Sequence, residues 1–133
     1  MTTIESEHKL INANEEAIYS FLSDMNNIEQ LLPQDKISDW KSDEKSCSFK
    51  IQKAATISLN HNEGEPHQKI NYKSGEKSPF PFDLDVYITP KDGQTEVYLI
   101  FNGEVNAFLK MMVMKPLTNL FNYMAHRLQE IHA

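Results

Sequence analysis

An α+β fold is predicted here: a curved antiparallel β-sheet wrapped around a long C-terminal helix, with two short helices after the first strand. Three observations predict it. Apolar residues recur at helical spacing in two segments near the start of the chain. They then alternate with polar residues through the middle, from about residue 47 to 102, and return to helical spacing from about Ala107 to Ile131. A sheet with one apolar face must be covered, and only the last segment is long enough to cover it.

Thr3 to Ile11 reads as the first strand. Asn14 is placed to cap the helix that follows, its side chain accepting from free backbone N–H groups, with Glu15 and Glu16 complementing the dipole of the first turn. Ile18, Phe21, Leu22 and Met25 form the apolar stripe of that helix. A second short helix is expected from Asn27 to Leu32, ended by Pro33.

Cys47, Phe49 and Ile51 then alternate with Ser48, Lys50 and Gln52, and Ile57 and Leu59 with Ser58 and Asn60. Ile70 and Tyr72, the run Phe82, Leu84, Val86 and Ile88, and the run Val97, Leu99 and Phe101 repeat the pattern. Period two means a sheet with one apolar and one wet face. Turn signals fall between the runs at Asn62-Glu63-Gly64, Ser74-Gly75-Glu76 and Asp92-Gly93, which makes a meander. In the terminal helix Val113, Leu117, Leu120, Phe121, Met124, Leu128 and Ile131 share a face. Pro116 lacks a backbone donor, so a kink or a restart is expected there.

The length of 133 residues is that of one domain, spanning residues 1–133. Hydrophobic residues make up 40% and charged residues 24%, so long disorder is not expected. The net charge of -6, with no Lys/Arg cluster, makes nucleic acid and anionic membranes poor partners. No apolar run reaches the ~20 residues of a membrane span. Cys47 stands alone, so no internal disulfide forms. With no signal-peptide pattern either, a cytoplasmic protein is expected.

Candidate chemistry is sparse. His8, His61, His67, His126 and His132 show no i,i+4 or i,i+2 pairing and no HExxH motif, and read as scattered, solvent-exposed side chains. No metal or cofactor is expected. Asp83 and Asp85 share a strand face but alternate with apolar residues, so they should face solvent. The methionines Met111, Met112, Met114 and Met124 concentrate in the terminal helix, and a flexible, polarisable side chain suits a surface that adapts to varied apolar shapes. Trp40 and Tyr72 are of a type that stacks on ligands. Together with the inward-facing Phe49, Phe82, Leu84, Leu99 and Phe101, and with Phe108 and Met112 near the helix start, they are the expected lining of a cavity. The loop Lys77–Phe82 is a further rim candidate, although its prolines also fit a strand entry.

The segment Asn14-Glu15-Glu16-Ala17-Ile18-Tyr19-Ser20-Phe21-Leu22-Ser23-Asp24 after the first strand resembles the opening of the START-like or Bet v 1-like (SRPBCC) superfamily. The stretch from Phe108 to Leu117 resembles a group of its bacterial orphan members. The resemblance implies a helix-grip fold with an internal hydrophobic cavity. That superfamily includes lipid carriers, plant-hormone and sterol binders, polyketide cyclases and chaperone-partner domains, so fold alone does not transfer function. The expected function is binding of a hydrophobic small molecule, lipid-like or polycyclic, as carrier, sequestering protein or sensor. A cyclase- or hydratase-type enzyme would need a titratable residue at an inward strand position. An interaction module with a vestigial cavity would show a large exposed apolar patch.

Overall fold

The computed structural model describes residues 1–51 and 55–132. Gln52, expected in the alternation of its strand, lies outside them. Among the described residues, eight strands make one antiparallel sheet: β1 (Thr2–Glu5), β2 (Lys9–Ile11), β3 (Ile37–Ser42), β4 (Ser46–Ile51), β5 (Ala55–Glu65), β6 (Lys69–Ser74), β7 (Phe82–Lys91) and β8 (Gln94–Gly103). The order is β1-β8-β7-β6-β5-β4-β3, with β2 also paired to β8. Helix α1 (Glu15–Ser23) and a 3-10 helix (Met25–Leu31) follow β2, and α2 (Ala107–Ile131) closes the chain. The helix-grip expectation holds.

The first strand is divided where one strand was expected. Ile4 and Ile11 are both buried, yet seven residues apart on a continuous strand they would face opposite sides. One extra residue between β1 and β2 resolves this: Glu5 pairs with Ile100, but Lys9 pairs with Val97. Ser6 holds the irregularity in place. Its N–H donates to the Leu99 carbonyl at 2.8 Å, and its Oγ accepts from the Leu99 N–H at 2.8 Å.

The Asn14 cap forms as expected, accepting from the Ala17 N–H at 2.8 Å. The second short helix begins earlier than expected and is a 3-10 helix. Asp24 caps it, and Met25, Ile28 and Leu31 are buried at the three-residue period of that geometry.

The turn expected at Asn62–Gly64 does not form there. Strand β5 runs on to Glu65, and the chain reverses at Pro66–Gln68, with His67 at φ 63. Gly64 has a different role: a Cβ there would collide with the Lys69 carbonyl, so it permits close strand approach beside the register shift between Asn62 and Glu65. Asp92-Gly93 is the expected two-residue turn. Lys91 pairs with Gln94, and φ is 50 at Asp92 and 82 at Gly93, the left-handed pair that matches strand twist. Between β6 and β7 the chain makes a longer loop, Gly75–Pro81, which tucks Phe80 edge-on to Phe101 at 6.2 Å.

Helix α2 is continuous through Pro116 and does not restart. Asn106 caps it, accepting from the Leu109 N–H at 2.9 Å. Val113, Leu117, Leu120, Phe121, Met124 and Leu128 are buried against the sheet and the 3-10 helix, while Ile131 is half-buried.

Candidate functional site

The inner face of the sheet is largely apolar, and its side chains line up because the pleat is in register across neighbouring strands. Tyr72 pairs with Leu84, Leu84 with Phe101, and Val86 with Leu99, so these side chains stand in rows beneath the helices. Phe49, Tyr72, Phe82, Leu84, Leu99 and Phe101 are all at most 5% exposed. Phe101 joins the sheet to the helix, with ring centroids 5.1 Å from Phe82 and 5.6 Å from Phe121. At the far edge, half-exposed Trp40 stacks on Phe49 at 6.1 Å.

Phe108 and Met112 are placed differently from the other candidates. They are 72% and 45% exposed, on the side of α2 that points away from the sheet, with Met111 beside them at 88%. They stand at the start of α2, outside the helix–sheet contact. The reason is angular: at about 100° per residue, Met112 is turned away from the stripe that Val113 begins. The loop Lys77–Phe82 likewise gives Phe80 and Phe82 to the core instead of to an exposed rim.

The polar groups of the interior are few and held neutral. Burial pushes the Tyr72 hydroxyl well above its usual pKa; it donates to the Leu22 carbonyl at 2.6 Å. Burial, reinforced by Asp43, pushes the Cys47 thiol up to about 12, which leaves no thiolate for nucleophilic chemistry at neutral pH. Asp83 and Asp85 lie on the outer face as expected. Asp83 accepts from Lys73 Nζ at 3.0 Å, and Asp85 from Asn71 Nδ2 at 2.6 Å. Neither reaches the interior.

His61 is the residue that sequence reasoning missed. Expected on the surface, it is half-buried. Its cross-strand partner is Tyr72, so it continues the inner face, and its Nε2 is fully buried with no hydrogen-bond partner among the described residues. An open cleft of about 740 Å³, edged by Asn26, the Ser42–Ser46 turn and Asn60, reaches this histidine. The signal was present: Ile57, Leu59 and His61 are spaced by two and share a face. The other histidines are peripheral. His8 stacks on Tyr98 at 3.9 Å and contacts Glu5 at 2.7 Å, and His126 lies 3.8 Å from Glu130. Among the described residues, no group of three or more His, Cys, Asp or Glu is placed to hold a metal ion.

A scan against protein-family models and a comparison with curated proteins find no match. Solved structures do match over the whole chain. The KanY protein aligns with a TM-score of 0.76 at 16% identity, covering 98% of each chain. The protein TTHA0849 of Thermus thermophilus aligns with 0.73 at 14% identity, over 97% of this chain and 95% of its own. A START superfamily protein of Mycobacterium smegmatis aligns with 0.68 at 13% identity, over 97% and 98%. At these identities the likeness is one of fold, and the fold it supports is the START-type helix grip.

Proposed function

We propose that the protein binds an apolar small molecule, lipid-like or polycyclic, between the first half of α2 and the inner face of the sheet, as a carrier, sequestering protein or sensor. The observation that carries this reading is the contrast along α2. Its second half is anchored by Leu117, Leu120, Phe121, Met124 and Leu128, whereas its first two turns bury only Val113 fully. Pro116 adds a weak point, because it cannot donate to the Met112 carbonyl four residues before it. The first turns are thus the part of the cover that lifts most readily. In this reading Phe49, Tyr72, Phe82, Leu84, Leu99 and Phe101 supply the walls, and Trp40, Phe108 and Met112 the rim. Fluorescence or calorimetric titration with a panel of fatty acids, sterols and polycyclic aromatics tests it. Pro116→Ala, which restores the missing donor and removes a helix penalty of up to about 3 kcal/mol, should stabilise α2 and weaken binding. A wild-type protein that binds nothing in the panel, or a Pro116→Ala variant that binds as well, overturns the reading.

One observation favours a second reading, an enzyme of the cyclase or hydratase type. His61 supplies the inward titratable group that such an enzyme requires, with a ring nitrogen able to take or give a proton. Turnover of a bound cyclisable or hydratable substrate, abolished in His61→Phe with binding retained, would establish it. Binding without turnover would leave the carrier.

A further inference from the structure

The outer face of the sheet carries a polar row across three strands and a loop. Lys41 pairs with Ser48, Ser48 pairs with Ser58, and the Gly75 N–H donates to the Ser58 carbonyl at 2.8 Å. Paired residues share a face, so the two hydroxyls stand side by side, turned away from the buried Cys47, Phe49, Ile57 and Leu59. The pairing of β5 with β6 ends at Leu59 and Ser74, and the loop Gly75–Pro81 then becomes the neighbour of β5. Ser78 fixes the loop there. Its Oγ accepts from the Ser58 N–H at 2.9 Å and donates to the Ser58 carbonyl at 3.2 Å. The loop thus walls a depression of about 420 Å³, floored by Ser48, Ser58 and Asn60 and flanked by Lys41 and Lys77.

Three features of this depression are unexplained by folding alone. Ser58 is only 8% exposed, yet among the described residues its backbone groups are bonded and its hydroxyl is not. A buried hydroxyl left without a partner costs free energy, so its place in the floor asks for a group from outside. Gly75 keeps the space above it open: a Cβ there would collide with Ser58 Oγ and stand 3.3 Å from Asn60 Nδ2. Lys41 and Lys77 are exposed and, among the described residues, make no ion pair. The carboxylates in the lining are Asp43 and Glu76, so the depression is neutral within a chain of net charge -6. Asp43 is already engaged by its own turn, accepting from the Lys45 and Ser46 N–H groups at 2.8 Å each and from Ser46 Oγ at 3.2 Å.

We propose that this depression binds the phosphate group of a small phosphomonoester. The hydroxyls of Ser48 and Ser58 and the Asn60 side-chain N–H groups donate to the phosphate oxygens from the floor, and the Lys41 and Lys77 ammonium groups close on it from two sides. Such bonds to an ionised acceptor are about twice as strong as neutral ones. A neutral sugar fits worse, because it leaves both lysines without a counter-charge and no aromatic ring lines the depression for it to stack on. A divalent cation fits worse still: the lysines repel it, and among the described residues no group of three or more His, Cys, Asp or Glu is placed to hold one. The site lies on the opposite face of the sheet from the interior, so it is independent of either reading of function given above.

Amide NMR shifts of the full chain, titrated with inorganic phosphate, glycerol 3-phosphate and glycerol, test the proposal. Both phosphates should move the Ser48, Ser58 and Gly75 amides saturably, and glycerol should not. Ser58→Ala removes one donor to a charged acceptor and should weaken glycerol 3-phosphate binding by about tenfold or more. Wild-type affinity should fall as salt rises from about 50 to about 500 mM and the Debye length contracts. Lys41→Gln/Lys77→Gln should weaken binding and remove most of that salt dependence. Both lysines are exposed, so circular dichroism should show this variant folded as wild type. No saturable shift at these amides with glycerol 3-phosphate, an equal response to glycerol, or undiminished binding by either variant when folded overturns the proposal.

Discussion

The two ends of α2 obey opposite rules. From Leu117 to Leu128 the apolar residues face the sheet and the polar ones face solvent, so this part of the helix is explained by the core alone. From Phe108 to Met112 three apolar side chains stand exposed, and only Leu109 packs against the core. Pro116 marks the boundary between the two. One helix thus has a packed wall at one end and an exposed edge at the other. A periodic stripe shows where a helix is anchored; departures from it show where the helix stands clear of the core.

The comparison breaks first if the wall is not a wall. Phe101→Ala and Leu117→Ala should each cost about 2–5 kcal/mol in denaturant melts, as large core truncations do. A small loss at Leu117 would mean that α2 rests loosely along its whole length.

Alkaline titration sharpens it next. Burial on folding raises the pKa of Cys47 from its ordinary value of 9.0 to about 12, so stability is fully present below about pH 9. It is lost as pH rises towards 12, because the unfolded thiol ionises first. The expected slope is about 1.4 kcal/mol per pH unit for that group. Tyr72, raised in the same direction by burial, adds its own loss above about pH 10. Cys47→Ala should flatten the stability curve between about pH 9 and 10, before tyrosine contributes. An unchanged curve would show the thiol to be solvated.

The smallest effects belong to the outward positions. Met111→Ala, on the exposed edge of α2, should change stability by no more than about 0.5 kcal/mol, as should Asp83→Asn on the outer face of the sheet. The Lys73–Asp83 pair is largely exposed, so its loss contributes little. A cost above about 2 kcal/mol at Met111 would place that side chain in a contact that this structure lacks.

Periodicity made α2 legible to the residue, from Ala107 to Ile131, and it made the inner face legible strand by strand. It could not reveal the irregularity between Glu5 and Lys9, since an extra residue shows only against the register of β8. Gly64 was misread for a related reason: glycine serves a tight turn and a close strand approach equally, and only the position of Lys69 distinguishes them. The spacing that assigned Val113 and Leu117 to the core also turns Phe108 and Met112 outward. The spacing from Ile57 through Leu59 assigns His61 inward. The inward place of His61 was thus legible in the alternation of its strand.

Hydrogen exchange along α2, followed with and without a saturating apolar ligand, bears most directly on the division of this helix. Amides from Phe108 to Lys115 should exchange far faster than those from Leu117 to Ile131, because they open without unfolding the core. Ligand should then slow the first group and leave the second unchanged. Equal protection along the whole helix, or a bound ligand that leaves the first turns exchanging as before, would contradict the account.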